Sequence, residues 1–227
     1  MAVTTIPEVI DRLREINSET RSPDGVRTFN RVYLKVTERV FEGLESPNCP
    51  YQDREFMTQL DVDFAKLWID AYQTAKRRDR VPRAWAPLFE LRRRRGLLPI
   101  QHALAGMNAH IEHDLPLAVV KTCMARRTTP RSQKVRDDYA AVNTVLAGVE
   151  SEIRQTFLTD IQKQADRHIG PLVHVVSSWN IDKARDLAWV SVEALWALRR
   201  IPPLATRYTS ALSDTVGMTS RYLLTPL

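Results

Sequence analysis

Apolar residues in this chain return every three or four positions from one end to the other, and no stretch alternates them every second position. A period near 3.6 belongs to helices with one buried face, whereas a half-buried strand needs a period of two. A chain patterned this way is confined to all-α folds. Only seven glycines occur in 227 residues, too few for the tight turns of a β-rich fold, and no hairpin dipeptides separate the apolar runs.

Prolines and polar connectors cut the pattern into helices. Pro7 sits where a first helical turn tolerates it and opens a stretch carrying Val9, Ile10, Leu13 and Ile16. The spacing predicts further helices over about 26–44, 53–77, from Pro82 through Phe89, and from Pro99 towards Asp114, with a break at Pro116 and a continuation to about Arg126. After the connector Thr128-Thr129-Pro130-Arg131-Ser132, long helices are expected over about 134–168, 172–198 and 204–223. No repeat or low-complexity tract interrupts them. The expectation is one all-α domain, residues 1–227, a bundle of about seven to nine helices.

Composition narrows the setting. The chain is 44 % hydrophobic and 26 % charged, an ordinary globular balance. Cys49 and Cys123 are isolated, which suits a reducing compartment better than a disulfide framework. The stretches 96–111 and 169–181 lack charge but fall short of the roughly 18 residues of a membrane span, and no apolar leader is visible. A cytoplasmic protein is expected. The net charge of +6 comes from 33 basic residues interleaved with 27 acidic ones, so nucleic acid is not an expected partner. The dense cluster Arg92-Arg93-Arg94-Arg95, ahead of Gly96, reads first as a solvated helix end and second as a phosphate-binding group.

Chemistry concentrates in Gly106-Met107-Asn108-Ala109-His110-Ile111-Glu112-His113-Asp114-Leu115-Pro116-Leu117. At about 100° per residue, His110 and Asp114 share a helical face, and His102 and His113 fall close by. Such a pair suits either two ligands of a divalent metal or an acid–base couple. In the structural alternative His110 bonds a carbonyl, Asn108 and Asp114 cap a kink at Pro116, and His113 faces solvent. A third metal ligand would come from Asp61 or Asp63, of which one is expected to face inward. Farther on, Asp182, Arg185, Asp186, Trp189 and Glu193 share one helix face. They form either a ladder of ion pairs or an arm placing Arg185 on an anion in a central cavity, with Trp189 as its wall. No GxGxxG, P-loop, GxSxG, HExxH or DDxxD motif occurs.

The runs Gly106–Ile111 and His113-Asp114-Leu115-Pro116, with Phe64-Ala65, Trp85 and Ala184-Arg185…Ala188-Trp189, resemble a domain-of-unknown-function family of helical bacterial proteins common in actinobacteria. The resemblance spans about residues 29–196. It implies that His110, His113, Asp114 and Arg185 match positions of the family pattern, and it brings no activity. A looser likeness is to the zinc phospholipase C and single-strand nuclease group, which carries a His-x-x-x-Asp pair on a core helix. Ala118 stands where that group's nucleases have a terminal His, and the second His-x-x-x-Glu element is missing.

The expected function is an enzyme with a His/Asp site inside the bundle, acting on a small molecule. Its catalytic residues are His110, His113, Asp114 and Arg185. His110, Asp114 and Asp63 are the candidate ligands of a divalent metal such as zinc, for hydrolysis of a phosphoryl or acyl substrate. Asn108, Trp68, Trp85, Trp179 and Trp189 are expected to line the pocket. One alternative is a metal-free cyclase or isomerase of secondary metabolism; the other is a non-catalytic binding or scaffold protein.

Overall fold

The computed structural model describes residues 3–162 and 180–226, and no strand occurs among them. The helices are α1 (Ile6–Glu19), α2 (Gly25–Glu45), α3 (Arg54–Lys76), α4 (Ala86–Leu91), α5 (Pro99–Asn108), α6 (Leu115–Ala125), α7 (Gln133–Gln162), α8 (Ile181–Leu198) and α9 (Pro202–Leu223). A π-helical turn, Ala109–Asp114, joins α5 to α6. The all-α bundle expected from the periodicity is the fold observed.

Short polar residues set the helix starts. Thr5 and Glu8 close a capping box at α1, the Thr5 hydroxyl accepting from Glu8 N–H at 3.3 Å and the Glu8 carboxylate from Thr5 N–H at 3.1 Å. Asp24, Asp53 and Asn180 cap α2, α3 and α8 through their side-chain oxygens. Asp138 of α7, itself buried, accepts the backbone N–H groups of Gln52 and Asp53 and so ties the loop before α3 to α7.

The expected break at Pro116 does not occur. Helix runs through it, because the preceding turn is one residue wider: Leu115 N–H reaches back five residues to the His110 carbonyl. The wide turn accommodates a ring that would otherwise press on the carbonyl four residues back. The result is one continuous rod, α5–π–α6, buried at the centre. Its first part packs against α2 and α9, its π turn against α3, α8 and α9, and its last part against α3 and α8.

Close approach of α2 to the rod depends on Gly106. A Cβ there would stand 2.3 Å from the Phe29 ring, so only glycine fits. Phe29 anchors an aromatic core, edge-on to Trp68 at 4.9 Å, with Trp85 4.7 Å from Trp68 and Phe89 stacked on Trp68 at 5.8 Å. The Trp68 indole donates to Asn30, which donates in turn to the Leu13 carbonyl, so the buried polar atoms are paired. His168, Gly170, Pro171, His174 and Trp179 lie outside the described residues.

Candidate functional site

The π turn delivers His110, His113 and Asp114 to the centre of the bundle, with His110 and Asp114 only 2 % and 1 % exposed. Asp114 gathers three groups: His110 Nδ1 at 3.0 Å and Trp85 Nε1 at 3.0 Å on one oxygen, and His113 Nδ1 at 2.7 Å on the other. Burial works against the Asp114 carboxylate, but the hydrogen bonds from His110 and His113 outweigh it and hold its pKa below the ordinary value. Burial also lowers the pKa of His110, more than Asp114 restores it. At neutral pH the pair is therefore an ionised carboxylate and a neutral imidazole. Nδ1 carries the proton shared with Asp114, and Nε2 is left with a free lone pair.

That Nε2 has no hydrogen-bond partner among the described residues. The imidazole is fixed in place instead by aromatic contacts. Phe64 stacks on it at 3.6 Å and 7°, and Tyr33 meets it edge-on at 4.4 Å. In the structural alternative His110 was to bond a carbonyl and His113 was to face solvent. The structure pairs His110 with Asp114 and buries His113.

His110 lines a cavity of about 90 Å³ whose wall draws on α2, α3, the rod, α7 and α8. Most of that wall is apolar, from Val32, Val36 and Val40 through Met57 and Leu60 to Leu146 and Ile181. Four ionisable groups besides His110 interrupt it: Tyr33, Asp61, Tyr139 and Arg185. Asp61 is buried, its Oδ2 has no partner among the described residues, and burial alone pushes its pKa up to about 7. The Tyr33 hydroxyl is likewise unpartnered, and burial, with Asp61 and Asp114 nearby, raises its pKa well above the usual phenol.

Arg185 supplies the cation. It is 5 % exposed, donates from Nε to Asn143 Oδ1 at 2.6 Å and from Nη2 to the Tyr139 carbonyl, and lies over the Tyr139 ring at 4.0 Å. No carboxylate pairs with it among the described residues. Burial lowers its pKa, yet a guanidinium stays protonated at any working pH. The surface in which Arg185 was placed is thus not an ion-pair ladder. Tyr139, not Trp189, is the aromatic plate beneath it, while Trp189 packs tilted against Tyr139 at 4.6 Å.

Other expected members stand elsewhere. Asp63 is buried but faces α6, where Lys121 Nζ lies 2.8 Å away, the Thr122 hydroxyl donates to it at 3.1 Å, and Gln59 donates as well. Among the described residues no group of three or more His, Cys, Asp or Glu side chains gathers at metal-binding range. His110 and Asp114 bond to each other rather than converging on a common point, so these residues do not fit a metal site. Asn108 donates to the Val216 carbonyl and the Ser220 hydroxyl, fastening the rod to α9. Trp68 and Trp85 belong to the aromatic core and none of the described tryptophans lines the cavity. His102 does not join His110: at 100° per residue the two already point about 80° apart, and His102 borders a different cleft. Among the cavity residues that the spacing did not single out as lining are Tyr33, Phe64 and Tyr139. Their signal was present only as apolar positions on helical stripes, indistinguishable from core.

Compared with known families, residues 6–226 match the model of a family of unknown function, DUF5995. No curated protein and no solved structure matches the chain.

Proposed function

For a chain that belongs to this family of unknown function, we propose that the cavity is the active site of a cofactor-independent acid–base enzyme acting on a slender, mostly apolar molecule with a carbonyl or carboxylate group. The observation that carries this is the convergence of three buried, unpartnered polar atoms, His110 Nε2, Asp61 Oδ2 and Tyr33 Oη, on side chains that line one apolar cavity. Folding leaves such atoms unpaired at a cost of about 1–3 kcal/mol each. A ligand that bonds them recovers that cost, which is the usual arrangement of a small-molecule site.

Each group has a role its environment suits. Asp114 orients His110 and stabilises the imidazolium formed when Nε2 takes a proton from a C–H next to the carbonyl. Asp61, with a pKa of about 7, is available near neutrality in both protonation states, so it can deliver a proton to the oxygen or to a second carbon. Arg185 holds the anionic oxygen and the apolar wall excludes water. The net change is a moved proton, hence an isomerisation or a ring closure. At about 90 Å³ the space is smaller than the roughly 150 Å³ cavity that accepts benzene, so the reacting part of the ligand has few heavy atoms.

The test uses a panel of short mono- and ketocarboxylic acids, screened by thermal shift and followed by NMR in D2O. A panel member should stabilise the protein and exchange its α-proton for deuterium, with exchange lost in His110→Gln and binding lost in Arg185→Met. Failure of every member to stabilise the protein, or exchange undiminished in His110→Gln, would refute the acid–base reading. In that event a purely structural role for the cluster is the better account.

A further inference from the structure

On the other side of α2 lies a second concavity of about 660 Å³, within the roughly 300–1,000 Å³ range of small-molecule sites. Val32 borders both spaces, so one helix separates an apolar cavity from a strongly basic cleft. The cleft is framed by the run Arg92-Arg93-Arg94-Arg95 on one side and by Arg27 and Arg31 of α2 on the other. Its two carboxylates are already engaged. Asp24 holds Arg92 at 2.7 Å and Arg93 at 3.2 Å, and Glu38 holds Arg14 at 2.9 Å. Arg31, Arg94 and Arg95 have no carboxylate partner among the described residues.

The backbone holds this arrangement in place. Gly96 has φ +86, a left-handed turn that glycine adopts without strain. The Gly25 N–H donates to the Arg92 carbonyl at 2.7 Å, clamping the arginine run to the start of α2. At the floor is His102, 5 % exposed, whose buried Nδ1 has no hydrogen-bond partner among the described residues. It sits directly against Gly25, where a Cβ would come within 2.3 Å of Nδ1. Burial pushes the His102 pKa down to about 4 despite nearby Asp24, so the imidazole is neutral and can turn an N–H towards an anion.

We propose that this cleft binds a phosphate-bearing small molecule, with Arg31, Arg94 and Arg95 on its oxygens and His102 beneath them. Three unpaired guanidinium forks around one concavity match the several oxygens of a phosphate or diphosphate better than a single carboxylate. A nucleic acid would call for a stripe of cations along a face, whereas here they gather at one end of one helix. This site is independent of the acid–base cavity, and neither stands or falls with the other.

Calorimetric titration of the full chain with sodium pyrophosphate and with inorganic phosphate tests it. Saturable one-site binding is expected, weakened about tenfold or more in Arg94→Gln/Arg95→Gln and also weakened in His102→Leu. The charge-matched pair Arg200→Gln/Arg207→Gln, exposed and outside the cleft, should bind as the parent does. Pyrophosphate should also protect Arg94 and Arg95 from phenylglyoxal modification in the unmutated protein. Absence of saturable binding, or an equal loss in the control pair, overturns the proposal. So does tight binding of a fluorescent single-stranded oligonucleotide that pyrophosphate cannot displace, which would reassign the cleft to nucleic acid.

Discussion

Asp114 is the residue on which the centre of the molecule depends, since His110, His113 and Trp85 all bond to its two oxygens. Asp114→Ala leaves those groups unpaired in a buried setting and is expected to destabilise the fold in urea unfolding by about 1–3 kcal/mol for each donor left without its acceptor. Asp61 behaves in the opposite sense. Its folded pKa of about 7 lies above the ordinary value of 3.8, so between those values the folded state holds the extra proton and stability falls as pH rises. At 1.36 kcal/mol per unit the difference amounts to about 4 kcal/mol at most. Asp61→Asn should therefore be more stable than the parent at pH 8, with the advantage shrinking towards pH 4, in parallel thermal or urea melts. The two aspartates of α3 also show what a sequence does and does not disclose. The His110/Asp114 pairing was legible because helical spacing alone puts them one turn apart. Asp61 and Asp63 sit on either side of the same apolar stripe, and both are buried. Which one meets a cavity and which meets Lys121 depends on the neighbouring helices, and no local pattern encodes that.

At the scale of elements, the decisive feature is the π turn. Helical periodicity, caps and connectors placed α1, α2, α3 and α9 within about two residues, because those signals are local. But α4 begins at Ala86 rather than Pro82, and the helix expected over 172–198 begins at Ile181, after an extended Asn180. Proline at 116 also reads locally, as a break, and there the local reading fails: burial on α3, α8 and α9 favours keeping the rod continuous, and one widened turn satisfies both demands. A face drawn at constant pitch spans about 120° between His102 and Asp114, wide enough to group residues that border two different clefts. The α2–α5 contact gives a sharp test of the packing. Gly106→Ala drives a methyl to within 2.3 Å of Phe29 and is expected to cost about 1–3 kcal/mol, as overpacking does. The double variant Gly106→Ala/Phe29→Leu should lose less than the sum of the two single changes, measured as a double-mutant cycle.

Among the described residues, a central helical rod is wrapped by the other helices, and buried polar atoms without partners border two spaces beside α2: the apolar cavity with His110, Asp61 and Tyr33, and the basic cleft with His102. Its function was not legible from the sequence, because residues that line a cavity and residues that fill a core share the same helical stripes until the packing is known. Acid–base chemistry in the cavity requires His110 to be a neutral base with its lone pair open to the cavity. Imidazole 15N–1H NMR of the labelled protein reads this directly. Between pH 6 and 8, about the range where an ordinary histidine titrates, His110 should appear neutral, protonated at Nδ1 and bare at Nε2, and its Nε2 resonance should shift on addition of an acid that binds the cavity. A His110 protonated at Nε2 in that range, or an imidazolium, would contradict the account.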